Sequence, residues 1–137
     1  MPRSPRAAVA VDTNVVVRLL TADDAEQAER AKALFERETI RLPKTVILET
    51  EWVLRRLYRF PRSRVARALT ALVALPNVRC EDEAAVLDAL EWAAGGLDFA
   101  DALHLASAGP AQEFATFDAE LVKDAAAVAT GVAVKAL

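Results

Sequence analysis

Carboxylates at the ends of apolar runs are the residues here whose type and spacing can do chemistry. The run Ala8-Val9-Ala10-Val11 stops at Asp12, and Phe114-Ala115-Thr116-Phe117 stops at Asp118. If both runs are strands of a parallel sheet, both acids lie at its carboxyl edge, where open α/β folds place their ligands. Asp101 falls in the opening of a helical stretch after the Gly95-Gly96 break, and Asp98 lies one turn before it on the same side. Glu49, from a third helix, completes a possible cluster. Clustered carboxylates repel and raise one another's pKa values unless a cation neutralises them. Oxygen-only ligands of this kind suit Mg²⁺ or Mn²⁺, with waters completing the octahedron. Such a site polarises a phosphate and generates hydroxide from bound water, the chemistry of metal-dependent phosphodiester hydrolysis. Each acid also has a plainer role open to it: Asp12 and Asp98 as helix caps, Asp101 as a first-turn charge, Glu49 as a solvated helix residue.

The elements that must position these acids follow from periodicity and breakers. The unalternating small and β-branched run before Asp12 predicts a strand covered on both faces. Val15 to Leu20 reads as a short helix, and Asp23 to Glu38, rich in Ala, Glu, Lys and Arg, as a longer one. Ile40-Arg41-Leu42 is a strand stopped by Pro43, and Thr45 to Tyr58 is a helix with Val46, Thr50, Val53, Leu54 and Leu57 on its apolar face. Glu49 and Glu51 flank that stripe on opposite borders, each about 100° from its centre, so periodicity does not choose between them. Pro61 opens a helix from Arg62 to Leu75 with Val65, Ala68, Leu69 and Leu72 inward, closed by Pro76-Asn77. Val78-Arg79-Cys80 is a strand, and a helix from about Asp82 to Ala94 ends at the glycine pair. Leu97 to Ala108 is helical, Phe114 to Phe117 is a strand, Ala119 to Asp124 is helical, and Val132 to Val134 is a last short strand. Strands alternating with helices predict an α/β domain around a parallel sheet, with no repeat, low-complexity tract or linker.

At 137 residues the chain has the size of one domain, 1–137. Hydrophobic residues make up 54% and charged residues 27%, the balance of a globular chain rather than a disordered one. No apolar run approaches the roughly 18 residues that span a bilayer. Met1 to Arg6 carries two basic residues without a signal-peptide cleavage pattern after the short apolar run, which predicts no secretion signal. The single cysteine, Cys80, excludes an internal disulfide and a cysteine-based zinc site and fits a reducing cytoplasm. A net charge of −3 does not mark a nucleic-acid binder in bulk, so a local patch must supply any such affinity.

Four motifs occur in order: Val11-Asp12-Thr13-Asn14-Val15, Leu48-Glu49-Thr50-Glu51-Trp52-Val53-Leu54, Asp98-Phe99-Ala100-Asp101-Ala102-Leu103-His104-Leu105-Ala106, and Thr116-Phe117-Asp118. Together they resemble a PIN domain, most closely the VapC-type toxins of bacterial toxin–antitoxin pairs, over nearly the whole chain from about Ala8 to Val134. The resemblance implies a PIN-like three-layer α/β/α domain with a central, mostly parallel sheet of four to five short strands. It implies Mg²⁺- or Mn²⁺-dependent endoribonuclease activity, with Asp12, Asp101 and Asp118 holding the metal and Glu49 as a ligand or as the base that orients water. Asp98 matches a less central acid, and Asn14 and Thr116 match polar positions that support the site by hydrogen bonding. His104, three residues after Asp101, stays outside the catalytic set. The resemblance further implies an RNA substrate, a small VapB-like antitoxin, a homodimer and a cytoplasmic location. A DNA-directed nuclease, or a catalytically silent binding module, is the competing reading.

One basic patch interrupts the acidic chain. Arg55, Arg56, Arg59, Arg62, Arg64 and Arg67 crowd one helix junction with Tyr58 and Phe60 among them. Arginine binds phosphate bidentately and stacks on bases, so Arg55, Arg56 and Arg59 are candidate RNA contacts, the plainer reading being a solvated helical corner. Trp52 and Phe35 are expected in the core rather than at an interface.

Overall fold

A computed structural model describes residues 7–111, 113–128 and 130–137, so the basic opening hexapeptide lies outside the described residues. Strands and helices alternate as β1 (Val9–Ala10), α1 (Thr13–Thr21), α2 (Ala25–Arg37), β2 (Ile40–Leu42), α3 (Lys44–Arg56), α4 (Arg62–Val73), β3 (Val78–Cys80), α5 (Glu83–Ala94), α6 (Phe99–Ala106), β4 (Phe114–Thr116), α7 (Ala119–Ala127) and β5 (Val134–Ala136). Seven helices with short parallel strands among the described residues are consistent with a three-layer α/β/α fold. No helix among them is long and apolar enough to cross a membrane.

All strand pairings are parallel, and their hydrogen bonds form two pieces. β1, β2 and β3 pair in that order, with Val9 opposite Ile40 and Ile40 opposite Val78. β4 pairs with β5, Phe114 opposite Val134. The first strand is more open than its composition predicts. Val11 is buried, but Ala8, Val9 and Ala10 are exposed, because β1 is the edge of its sheet and bonds only to β2. The expectation of a run covered on both faces is corrected accordingly. In β2, Ile40 and Leu42 are fully buried while Arg41 between them is exposed, so this sheet buries one face at its centre.

The buried face of α3 is rotated from the predicted one. Ile47, Thr50, Glu51 and Leu54 point inward at steps of three and four, while Val46 and Val53 are half-buried and Leu57 is exposed. A carboxylate joins the buried stripe because it carries its own counter-ion, Arg55, one turn on. Phe35 is in the core as expected, but Trp52 is 49% exposed, which corrects its assignment to the core. Helix α4 buries Val65, Ala66, Leu69, Leu72 and Val73.

The connection from α5 to α6 aims the second acidic motif. Gly95 ends α5 where a Cβ would stand 3.1 Å from Val128 Cγ1, so the chain after α7 packs closer than a larger residue allows. Gly96 follows at φ 115°, a backbone conformation that favours glycine, and turns the chain so that Leu97 is buried and Asp98 opens α6.

Candidate active site

Three of the candidate acids cap the helices they open. Asp12 takes an extended conformation after Val11, and its Oδ1 accepts from the Val15 N–H at 3.1 Å. Asp98 Oδ2 accepts from the Asp101 N–H at 3.1 Å. Asp118 Oδ1 accepts from the N–H groups of Glu120 and Leu121 at 2.9 and 3.3 Å. A capping bond uses one oxygen of a carboxylate and fixes its rotamer, leaving the other oxygen for a ligand. Capping and a role in a site are therefore compatible here. Thr116 adds to the second strand end, its Oγ1 accepting from the Asp118 N–H at 3.0 Å.

Glu49 and Glu51, which periodicity left equivalent, have different surroundings. Glu49 is exposed and its Oε1 accepts from the Thr13 hydroxyl, so it stands beside the residue that follows Asp12. Glu51 is buried and accepts from Arg55 Nε and Nη2 at 3.0 and 3.3 Å, and this partner holds the Arg55 guanidinium pKa up. Glu51 is thus occupied inside α3, and so is Arg55, one of the three arginines read as RNA contacts. Arg56 and Arg59 are exposed. Arg64 lies over the Phe60 ring, 4.1 Å from its centroid.

Asp101 carries the perturbed carboxyl group of the region. Half-buried in the first turn of α6, it is pushed above the usual aspartate value, first by burial and then by the charges of Asp98 and Asp118. Asp124 adds in the same direction and His104 opposes it. Asp124 was not picked out from the sequence, since it follows no strand and sits in the middle of α7. Thr13 was read only as part of the Val11–Val15 motif and given no role, although a hydroxyl directly after Asp12 was a usable signal.

The structure therefore forms two groups: Asp12, Thr13 and Glu49 around the start of α1, and Asp98, Asp101 and Asp118 around the starts of α6 and α7. An open cleft of about 450 Å³ is lined by one acid from each group, Glu49 and Asp98, along with exposed Trp52 and Arg56. Asn14 is exposed next to Asp12 and makes no hydrogen bond to an acid among the described residues. Also among the described residues, no three His, Cys, Asp or Glu side chains stand together closely enough to enclose a metal ion.

An α/β domain with parallel strands, whose strand ends run into helix-capping aspartates, is the class that fold and site define. The chain belongs to the PIN-domain family, whose model matches residues 9–128. No curated protein and no solved structure matched it. PIN domains are generally nucleases, hydrolases of phosphodiester bonds, and generally use divalent metal ions. The donors fit such an ion in kind. They are all carboxylate oxygens, and burial and then the charges of Asp98 and Asp118 raise the Asp101 pKa, the second of which a bound cation reverses.

Proposed function

We propose that the chain is a metal-dependent endoribonuclease and the toxin of a VapBC-type toxin–antitoxin pair. The observation that carries this reading is the gathering of Asp98, Asp101 and Asp118 at the starts of α6 and α7, where burial first and then the charges of Asp98 and Asp118 make ionisation of Asp101 harder against the opposing His104, and a divalent cation would make it easier. Asp12, Asp101 and Asp118 would hold Mg²⁺ or Mn²⁺. When bound, the ion supplies a water activated near neutral pH and positive charge against the phosphate being cleaved. The chain's own residues do the positioning. The capping bonds of Asp12 and Asp118 fix one oxygen of each carboxylate, and Thr116 fixes the turn that presents Asp118. Thr13 orients Glu49, which takes the proton of the attacking water as it adds in line to phosphorus, while the bond from phosphorus to the ribose oxygen breaks and that oxygen takes a proton from solvent.

The test is incubation of purified protein with RNA or DNA in Mn²⁺, Mg²⁺ or EDTA. Cleavage of RNA that needs the metal, and that Asp12→Asn abolishes without changing the circular dichroism, is the expected result. RNA cleavage at the wild-type rate by that variant would sink the assignment, and cleavage of DNA alone would favour the DNA-directed alternative. The toxin role adds a small VapB-like antitoxin and a homodimer, checked by co-purification with the product of a neighbouring short reading frame and by sedimentation velocity. One observation favours a second reading, a catalytically silent binding module: the acids are not gathered around one point among the described residues. That reading predicts no hydrolysis by the wild-type protein under any of these conditions.

A further inference from the structure

A second cleft, of about 580 Å³, lies between α1 and α2 and has Asp12 in its lining. Its α2 wall is one helical face, since Gln27, Arg30, Leu34 and Arg37 follow at steps of three and four, and its α1 wall carries Asn14 and Arg18. Three guanidinium groups thus line a trough in a chain of net charge −3. Their situations differ. Arg18 is tied down, donating from Nε to Gln27 at 2.8 Å and from Nη1 to Tyr58 Oη at 3.2 Å, with Asp23 at 3.4 Å. Arg30 has no hydrogen-bond or ion-pair partner among the described residues. The Arg37 side chain is 67% exposed, with Glu38 at 3.8 Å.

At about 1.5 Å per residue, Arg30 and Arg37 stand about 10 Å apart along α2. Two weakly neutralised guanidiniums at that separation suit a chain of repeated single charges better than one small anion. Packed helices sit on the order of 10 Å apart, so the trough between them takes one strand and not a duplex. Continuity with Asp12 selects the ligand class, because under the ribonuclease reading the strand to be cut must pass that acid. We propose that this cleft binds the phosphate backbone of single-stranded RNA on one side of the cleaved bond, Arg30 and Arg37 each meeting a phosphate. The inference rests on the ribonuclease reading, and it moves the strand's path away from the Arg55–Arg59 junction.

The test is fluorescence anisotropy of a labelled, unstructured 12-nucleotide RNA in EDTA, titrated at several salt concentrations with the full chain. Arg30→Gln/Arg37→Gln should bind about ten-fold more weakly at low salt, with the slope of log K against log[salt] shallower by about 1.4, roughly 0.7 for each lost single-strand phosphate contact. Both side chains are exposed, so circular dichroism should not change. An unchanged affinity and slope overturns the proposal. So does a slope lost in Arg56→Gln/Arg59→Gln instead, or a polyglutamate 12-mer whose binding, unlike that of RNA, depends on Arg30 and Arg37. A wild-type protein that cleaves RNA while the double variant binds normally removes only the cleft. A wild-type protein that cleaves nothing in Mn²⁺ removes the ribonuclease reading, and the anisotropy then decides the cleft by itself.

Discussion

Asp101 is a carboxyl group whose ionised form its surroundings disfavour, and its titration can be separated from catalysis. Its carboxyl pKa lies above the ordinary 3.8 because burial, Asp98 and Asp118 all disfavour the ionised form. A raised pKa means that the folded state binds the proton more tightly than the unfolded state does. The group's favourable contribution is therefore complete below the ordinary value and lost as pH rises through the folded-state value. At pH 7 without divalent ion, ionised Asp101 works against folding. Asp101→Asn should raise the melting temperature at pH 7 in EDTA, and that advantage should shrink as pH falls toward 4. Added Mn²⁺ should stabilise the wild type and leave the variant unmoved. Thermal melts at the two pH values, with EDTA and with Mn²⁺, decide this. A variant less stable than wild type at pH 7 in EDTA contradicts the account. Cys80 needs no such test: burial and the charges of Glu83 and Glu81 push its thiol to about 11, so it stays protonated and unreactive at neutral pH.

Helix α3 shows what periodicity reveals and where it stops. The spacing of its apolar residues gives a helix and an approximate face. It leaves Glu49 and Glu51 as mirror images, because it measures hydrophobicity and not partnership. The distinguishing signal was the charge four residues on, since Arg55 follows Glu51 at i,i+4 and neutralises it inside the stripe. With side chains 8% and 15% exposed, this pair is buried, and removing one member leaves an uncompensated charge in a poor solvent. Glu51→Gln should therefore cost about 3 kcal/mol of stability, read as a lower midpoint in urea, whereas Glu49→Gln should leave the midpoint within about 0.5 kcal/mol of wild type, as surface changes do. Equal losses in the two variants would refute the division of labour. The strand ends were easier to read, since Asp12 and Asp118 each interrupt an apolar run and cap the helix that follows. The α1–α2 cleft was not legible. The seven-residue step from Arg30 to Arg37 fixes a shared helical face, but no local pattern tells that α1 stands across a trough from it. The division of the sheet was hidden too, because strands of two or three residues carry almost no register information.

At the scale of the whole molecule, the acids ride on parts of unequal anchorage. Asp12 and Glu49 belong to α1 and α3, which pack on each other and bury Val16, Ile47 and Leu54 in the main core. Asp118 belongs to the β4–α7–β5 unit, whose closest packing among the described residues is within itself. Leu121 and Ala125 of α7 are its buried links to the main core, and Phe114, Val128, Val132 and Val134 pack against that core half-buried. A unit joined mostly through half-buried side chains should open at lower free energy than the centre of the three-stranded sheet. Native-state hydrogen exchange should therefore find the β4–β5 amides, such as Phe114 and Leu137 bonded to Ala133 and Thr116, exchanging well before Ile40 in β2. A divalent ion held by Asp101 and Asp118 together would tie this unit to α6, and ligand that binds only the closed form adds its binding free energy to the opening cost. At an ion concentration of 100 times Kd, that is about 2.7 kcal/mol, or roughly a hundred-fold slower exchange in β4–β5. Sub-global opening of the unit bypasses Ile40, whose protection should change less. Equal slowing at both places would mean that the unit does not open by itself, and no slowing in β4–β5 would separate Asp118 from the metal.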